Sequence, residues 1–426
     1  MTTLSNEVRA ASGAGRPEAL DVEAIKADFP ILVRRFDGKR LVYLDSAASS
    51  QKPVAVLDSM QRYYETTHAN VHRGVYRIAA DATSLYEAAR ESVARFVKAP
   101  SSRGVIFTKN VTEAINLVAY SWGRANLGKD DAILLTEVEH HANLVPWLML
   151  REETGVELRF LPLADAHTID LTDLDRLVDG VKLLAVTAMS NVLGTLPPVR
   201  LIADAAHAAG ALVLVDGAQY VPHLPTDVTE LGADFFGFTA HTMCGPTGIG
   251  ALWAREELLE AMPAFLGGGE MIRDVRLDGW TPNEIPWKFE AGTPPIAEAV
   301  GLGAAVDYLE GLGMAAVRQH EVTLTAYALR TLTERFGDDL VIHGPTEAAQ
   351  RGGVLSFAYR DIHPHDISQV LDQENVCVRA GHHCAKPLMR RLGVGATARA
   401  SFYVYNDERD VDALADALDA AASFFG

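Results

Sequence analysis

The chain has 426 residues, 48% of them hydrophobic and 22% charged, which suits a globular protein of two or three domains. Its 38 basic and 56 acidic residues give a net charge of −18, so nucleic acid and anionic membranes are disfavoured as partners. The three cysteines, Cys244, Cys377 and Cys384, include no CxxC pair. A disulfide framework and a structural metal site are therefore not expected. The composition suits a protein of the reducing cytoplasm.

The N-terminal region is predicted to lie outside the folded core. Residues 1–20 are rich in Ala, Gly, Ser and Thr and are predicted to form a disordered leader. Asp21 is predicted to cap a short helix that Pro30 ends. Residues 21–39 are expected to pack with a smaller C-terminal domain. No apolar run approaches the roughly 18 residues that a membrane span needs, so a cytoplasmic protein is expected.

The middle of the chain predicts a large α/β domain over residues 40–310. Short apolar runs at 104–108, 131–138, 182–190 and 211–219 alternate with amphipathic segments, a pattern typical of a mostly parallel sheet covered by helices. Residues 311–426 contain long helical patterns, short strands and a final amphipathic helix, which indicates a smaller α/β domain. In such folds ligands bind beyond the carboxyl ends of the strands, so the residues after each apolar run are the candidates for chemistry.

Two of these strand ends allow more than one interpretation. Thr112, which follows Asn110, could hold a phosphate at a helix N-terminus, but an ordinary helix cap is the commoner use of such residues. His140 and His141 are consecutive, so a metal shared between them is disfavoured. A His ring stacked on a flat ligand is more plausible, and a hydrogen-bonded surface pair more plausible still.

Three further segments carry candidate chemistry. Asp216 ends an apolar strand, where a carboxylate is costly to bury unless a cation, such as a protonated ring nitrogen, meets it. A cap on the following segment is an equally good interpretation. The Gly/Thr-rich turn within 235–253 is a weak candidate for a phosphate cradle. Cys384 follows two histidines and lies near Arg379 and Lys386, cations that favour a reactive thiolate over a buried apolar cysteine.

The order of the motifs makes a specific resemblance. The chain resembles the fold-type I pyridoxal 5′-phosphate (PLP) enzymes of the class V aminotransferase group, and within it the group II, SUF-type cysteine desulfurases. The resemblance runs from about residue 29 to the C-terminus through LVYLDSAASSQKP, NVHRG, NVTEAINLV, EHHANLVPW, SNVLGT, VDGAQ, GPTGIG, FEAGTPP, RAGHHCAKPLM and RASFYVYN. It implies a large PLP-binding domain with a seven-stranded sheet, a small domain carrying the Cys384 loop, and a homodimer.

The resemblance also implies a role for each site residue. Asp216 would pair with the pyridinium nitrogen, His140 would stack on the ring, and Gln219 would bind the phenolic oxygen. The phosphate would be held by Thr112, Thr239 and His241, joined by Thr293 from the second subunit. The substrate carboxylate would be bound by Asn191, Arg379 and Arg399. Cys384 would take the sulfur of L-cysteine as a persulfide, leave L-alanine, and pass sulfur to a SUF-type acceptor protein.

One position departs from the family pattern. Thr242 stands where the family has the lysine that bonds to PLP and moves protons, and threonine has no amine. Lys109, Lys288 and Lys386 belong to other motifs. Three explanations remain open. The substitution is engineered, or the chain is a natural variant with another PLP-dependent reaction, such as C–S cleavage in a specialised pathway, or it is a non-catalytic sulfur-transfer scaffold. Ala240, where the family usually has glycine, slightly favours natural divergence. The prediction is a desulfurase-type protein that Thr242 leaves impaired.

Overall fold

The computed structural model describes residues 19–425, so residues 1–18 of the predicted leader lie outside the described part of the chain. Its strands are β1 (Arg35–Phe36), β2 (Lys39–Arg40), β3 (Val42–Tyr43), β4 (Val105–Thr108), β5 (Ala132–Thr136), β6 (Glu157–Leu161), β7 (Val181–Thr187), β8 (Leu212–Asp216), β9 (Phe235–Thr239), β10 (Gly250–Ala254), β11 (Ile272–Arg276), β12 (Gly279–Pro282), β13 (Leu340–His343), β14 (Val354–Tyr359), β15 (Val376–Cys377), β16 (Arg379–Gly381) and β17 (Thr397–Ser401).

The α-helices alternate with the strands through the first three hundred residues and then become longer. They are α1 (Val22–Ala27), α2 (Val54–Thr66), α3 (Arg77–Phe96), α4 (Val111–Leu117), α5 (Arg124–Asn126), α6 (Val145–Thr154), α7 (Leu174–Val178), α8 (Val199–Ala208), α9 (Glu256–Ala261), α10 (Ile296–Leu312), α11 (Met314–Phe336), α12 (Pro364–Gln373), α13 (Lys386–Arg391) and α14 (Glu408–Phe425).

The large sheet has seven strands in the order β4-β10-β9-β8-β7-β5-β6. Strand β10 runs antiparallel to both of its neighbours, and the remaining strands are parallel to one another. Every residue of β4, β5, β9 and β10 is buried, as expected for strands covered on both faces. The predicted α/β fold with a large, mostly parallel sheet is therefore confirmed.

A second sheet is antiparallel, in the order β13-β14-β17-β16, and α11, α12 and α14 accompany it. Strand β3 pairs in parallel with β15, which joins the N-terminal segment to this region. Lys26 on α1 adds ion pairs to Asp407 and Asp410 at the start of α14, at 3.3 and 3.2 Å. The domain boundaries after residues 20, 39 and 310 stay predictions.

Two local predictions differ from the structure. The side chain of Asp21 caps α1 as predicted, accepting the Ala24 N–H at 3.0 Å, but the helix ends at Ala27 and Pro30 begins a separate 3₁₀ turn. The helix predicted after β4 is regular only to Leu117, where it continues as a π-helical turn over residues 118–123. In both places the hydrophobic pattern was continuous, and only the backbone hydrogen bonding changes.

Helix α10 is mostly buried against α2 and α3. Among the helices of residues 19–425, none is by itself long and apolar enough to cross a membrane. Helix α10 passes that test only together with the segment Met314–Asp339, and the pair is bent by 73°.

The packing of β8 against β9 fixes the place of the candidate site. Asp216 is the last residue of β8 and is paired in register with Thr187, the last residue of β7. The next residue, Gly217, lies so close to the Phe236 ring that a Cβ atom there would be 2.4 Å from Cζ. Only glycine fits this contact, so the turn leaves β8 directly after the carboxylate.

Candidate active site

A cavity of about 590 Å³ lies at the carboxyl ends of the parallel strands. The loops after β5, β7, β8 and β9 border it, together with the segment before α13. All of the predicted site residues line it except one: Thr112, His140, Asn191, Asp216, Gln219, Thr239, His241, Thr242, Arg379, Cys384 and Arg399. The exception, Thr293, is exposed and lies outside the cavity of its own chain. Its predicted role in a second subunit's site stays a prediction.

Asp216 is a buried carboxylate without a cationic partner among the described residues. Its side chain is 3% exposed and accepts the Ala218 N–H at 3.0 Å. Burial raises the pKa of Asp216 to about 6, so the group is ionised at neutral pH in a low-dielectric place. This hydrogen bond is the cap that one interpretation of Asp216 predicted. The carboxylate charge itself is unpaired, which agrees with the other interpretation, a bound cation.

His140 presents a neutral ring to the same cavity. Its Nδ1 accepts the Ala142 N–H at 3.0 Å, so the proton of the neutral ring is on Nε2. Burial, the neighbouring His141 and the charge of Arg399 lower the pKa of His140 to about 4. The ring is therefore uncharged near neutral pH and is suited to stacking on a flat ligand.

Four residues that line the cavity each have a buried polar atom without a partner among the described residues: Gln219, Thr239, His383 and Arg399. Gln219 donates Nε2 to the Ala47 carbonyl at 2.8 Å, while its Oε1 is unpaired. The Thr239 hydroxyl is also buried and unpaired. Asn110 forms the ordinary helix cap, accepting the Glu113 N–H at 3.0 Å, and the adjacent Thr112 lines the cavity. Since buried polar groups are almost always satisfied, the unpaired atoms indicate a polar ligand.

These features fit the noncovalent part of a PLP site. A cationic ring nitrogen would neutralise Asp216, and a phosphate would accept from hydroxyls and ring N–H groups such as those of Thr239 and His241. The covalent part does not fit, because Thr242 has no amine. Its hydroxyl donates to the Ala218 carbonyl at 2.9 Å.

Among the described residues, no lysine lines the cavity. Of the three lysines considered from the sequence, Lys288 is buried and donates to the Leu259 carbonyl at 2.9 Å, and Lys109 and Lys386 are exposed. Sequence analysis missed Lys52, whose Nζ donates to the carbonyl of His241 at 3.1 Å. Burial lowers the pKa of Lys52 to about 8. Its amine therefore binds the backbone next to position 242 but does not line the cavity.

The two predicted carboxylate-binding arginines share one partner, Asp45, which the sequence analysis also missed. Arg399 is 2% exposed and donates to Asp45 at 3.2 Å and to the Asn191 carbonyl at 3.0 Å, while its Nε is unpaired. Arg379 donates to both carboxylate oxygens of Asp45, the shortest distance being 2.9 Å. Asp45 follows the short strand β3, so the strand-end rule could have found it.

A second buried carboxylate, Glu139, supports the loop that carries His140. It accepts hydrogen bonds from the Thr136 hydroxyl at 2.6 Å, the Asn143 amide at 2.8 Å and the Thr187 N–H at 3.0 Å. Burial raises the pKa of Glu139 to about 8. Glu139 directly follows the apolar run 131–138, so the strand-end rule marks its position, but its burial is visible only in the structure.

The predicted nucleophile lies at the mouth of the cavity. Cys384 is exposed, whereas Cys244 is buried and Cys377 is half-buried, and all three are free. Burial raises the pKa of Cys244 to about 12 and that of Cys377 to about 11, so neither is a thiolate near neutral pH. Of the three thiols, only Cys384 is open both to the cavity and to solvent.

The fold and the cavity together define an α/β enzyme with a site for PLP, and comparison with known proteins gives its family. Residues 42–414 match the family model described as aminotransferase class-V. The chain belongs to this family, whose members are PLP-dependent enzymes.

Relatives with similar sequences indicate which class V enzyme the chain resembles. The chain is 52% identical to a "Probable cysteine desulfurase" of Streptomyces coelicolor, over 96% of this chain and 99% of the relative. It is 47% identical to a "Cysteine desulfurase" of Haloferax volcanii, over 95% and 98% of the two chains. Cysteine desulfurase function is thus supported, and the predicted resemblance to class V cysteine desulfurases is confirmed.

Solved structures agree with the sequence relatives. An apo cysteine desulfurase from Thermococcus onnurineus superimposes with a TM-score of 0.90 at 38% identity, covering 94% of this chain and 98% of that one. The cysteine desulfurase CsdA (S-sulfonic acid) from Escherichia coli gives 0.86 at 38% identity, covering 96% and 100%. The fold-type I assignment is confirmed by these neighbours.

Proposed function

We propose that the chain carries the cysteine desulfurase site for the reaction of L-cysteine with the Cys384 thiol to give L-alanine and a Cys384 persulfide, and that Thr242 leaves this reaction severely impaired. The observation that carries the proposal is one cavity that holds an unpaired buried carboxylate, Asp216, and an exposed thiol, Cys384. The first suits a cationic cofactor ring, and the second suits a sulfur acceptor.

The cofactor would be held by the chain's own polar groups. Asp216 would meet the ring nitrogen, His140 would stack on the ring, Gln219 would bind the phenolic oxygen, and Thr112, Thr239 and His241 would hold the phosphate. One N–H of the Gln219 amide already donates to Ala47, and the other remains available for that oxygen. When bound, PLP supplies an electron sink that weakens the bonds at the substrate Cα and Cβ.

The substrate carboxylate would be bound by Arg399 and Arg379. The Nε of Arg399 is buried and unpaired, so a carboxylate in the cavity would satisfy it. Asp45 neutralises part of the charge of the two guanidinium groups and keeps them close together. An α-amino acid such as L-cysteine would thus be held by its carboxylate, which would leave its side chain free to meet Cys384.

The sulfur step conserves atoms and electrons without an added oxidant. The Cys384 thiolate attacks the substrate sulfur, and the new sulfur–sulfur bond forms as the Cβ–Sγ bond breaks. The electron pair of the broken bond goes to Cβ, which takes up the proton lost by the Cys384 thiol and becomes the methyl group of alanine. The exposed Cys384 then presents the persulfide to an acceptor, which we propose to be a SUF-type protein.

Thr242 removes the amine that this chemistry uses as covalent anchor and base. The Thr242 hydroxyl is committed to the Ala218 carbonyl and is a poor base near neutral pH. A second candidate, a lysine-less protein that acts on another sulfur-bearing substrate or only transfers sulfur, is favoured by the same fact, since no lysine lines the cavity among residues 19–425.

We also propose a homodimer in a reducing cytoplasm. The exposed Thr293 would reach the phosphate of the second subunit, and exposed apolar side chains, among them Val75, Tyr76 and Leu277, would be covered on association. Sedimentation equilibrium with PLP tests the assembly. A stable monomer that binds PLP tightly would contradict it.

The deciding experiment measures alanine formed from L-cysteine and added PLP by the chain and by Thr242→Lys. Because Thr242 lines the cavity, the new amine enters the site, and we expect at least about a 100-fold gain, the usual range for a positioned acid–base group. The control is Thr242→Lys combined with Cys384→Ser, which should lose the persulfide. If neither the parent chain nor the Thr242→Lys variant makes alanine, cysteine is not the substrate. If no alanine forms but the parent chain still passes sulfur from a supplied persulfide to an acceptor protein, the scaffold candidate is correct.

A further inference from the structure

The segment that carries the predicted nucleophile, here called the Cys384 loop (residues 382–386), is attached to the large sheet by hydrogen bonds from outside itself. The backbone N–H of His141 donates to the Cys384 carbonyl at 2.7 Å. The ring Nε2 of His141 accepts the N–H of Lys386 at 3.0 Å. The Asn191 amide donates to the His383 carbonyl at 2.7 Å. One residue, His141, therefore contacts the loop with both its backbone and its ring.

The loop has a backbone that local interactions favour poorly. His383 and Cys384 both have positive φ, 48° and 55°, a conformation that residues other than glycine seldom adopt. Inside the loop, the Cys384 N–H donates to Nδ1 of His382 at 3.1 Å and the Ala385 N–H to the His382 carbonyl at 2.9 Å. A strained segment persists only where its surroundings hold it. His141 and Asn191 contact this loop from one side, and the His383 ring lies 2.9 Å from the Thr397 hydroxyl on the other.

The ring contact also satisfies a helix end. Lys386 is the first residue of α13, where a backbone N–H has no partner within the helix. The preceding residue, Ala385, offers no side-chain cap. The His141 ring, which belongs to the loop after β5, accepts the Lys386 N–H instead. It can accept only while Nε2 carries no proton, and burial together with His382 and Lys386 lowers the pKa of His141, which favours that form.

We propose that His141 is the positioning residue that holds the Cys384 thiol at the cavity mouth, and that loss of its ring contact to Lys386 releases the loop toward solvent. The proposal deepens the proposed function and rests on it, since it concerns the thiol that accepts sulfur there. In the docked position Cys384 is open both to the cavity and to solvent. His141 touches neither reacting atom in this account and acts only through the loop.

The test measures the rate at which N-ethylmaleimide alkylates Cys384 in the full chain without substrate or cofactor. Digestion and mass spectrometry assign the label among Cys244, Cys377 and Cys384. His141→Ala removes the ring acceptor, and we expect alkylation of Cys384 to accelerate at least threefold with Cys377 unchanged. His141→Gln keeps an acceptor and is expected to stay near the wild-type rate. His68, which is exposed and lies on another part of the surface, is replaced by Ala as the control for loss of a histidine ring.

Hydrogen exchange gives a second readout. The amide of Lys386 should exchange faster in His141→Ala than in the parent chain, and His141→Gln should restore protection. An alkylation rate of Cys384 equal to or below that of the parent in a folded His141→Ala overturns the proposal. If that variant does not fold, His141→Asn, whose shorter side chain does not reach Lys386, replaces it under the same criterion. Because no turnover is measured, this outcome is independent of the alanine assay.

Discussion

Asp216 makes a stability prediction that is separate from catalysis. Its pKa is raised from 3.8 to about 6 by burial. Between these values the folded chain binds more protons than the unfolded chain, so the free energy of unfolding falls as pH rises through the window, and the loss is complete above about pH 6. At about 1.4 kcal/mol per pKa unit, the buried charge costs about 3 kcal/mol at neutral pH.

Asp216→Asn removes the charge and keeps the shape. Without cofactor, we expect the variant to be more stable than the parent chain at pH 7.5 by up to about 3 kcal/mol, with a smaller gap at pH 5. Urea unfolding at the two pH values measures the gap. Burial is the main cause of the raised pKa of Glu139, and the charge of Asp216 adds to it, so the measured difference also contains a smaller contribution from Glu139 with the same sign. Asp338→Asn, at an exposed position, is the control.

Added PLP should favour the stability of the parent chain over that of Asp216→Asn. A cationic ring nitrogen stabilises the ionised Asp216, so saturating PLP should raise the unfolding midpoint of the parent chain more than that of Asp216→Asn. The reasoning is refuted if cofactor-free Asp216→Asn is the less stable protein at pH 7.5, or if the gap does not widen between pH 5 and pH 7.5.

Two further changes test the residues that surround the site. Asp45→Asn leaves the guanidinium groups of Arg379 and Arg399 without their shared carboxylate, and we expect urea unfolding to show a loss of about 2 kcal/mol or more, against no change in exposed Asp165→Asn. An unchanged stability would contradict the proposed charge balance. Lys52→Met removes an amine whose pKa is lowered from 10.5 to about 8, so the unfolded parent chain binds more protons in that window. The parent should therefore gain stability as pH rises from 8 toward 10.5, a gain that the variant should lack and thermal unfolding would detect.

The sequence could predict those parts of the site that lie next to a strand end. Asp216 is the last residue of one buried apolar strand, and His140 lies in the loop after another. Strand ends of a parallel sheet meet at one edge, so their proximity followed from local pattern. Asp45 and Arg399 are 354 positions apart, and their contact depends on how two sheets are packed. No spacing rule reaches that far.

The same limit applies to charge state. Lys52 reads as a surface lysine in a polar segment, and only the fold reveals that its amine donates to the carbonyls of Ser50 and His241. Glu139 likewise looks like part of a polar loop, yet it is buried behind the cavity. Burial decides whether such groups titrate near neutral pH, and burial is a property of the tertiary structure.

The position of Thr242 can be weighed against these energies. Two features of the site lower the stability of the cofactor-free chain. The buried charge of Asp216 costs up to about 3 kcal/mol relative to a neutral residue, and the buried Nε of Arg399 has no hydrogen-bond partner. A cofactor ring would offset the first cost and a substrate carboxylate the second. The missing amine therefore removes the covalent anchor from a site whose noncovalent charges are intact. Binding of PLP without a covalent bond is the expected result. Equilibrium dialysis would demonstrate it if the parent chain retains PLP, if borohydride reduction before denaturation leaves no PLP attached to the chain, and if Asp216→Asn retains less.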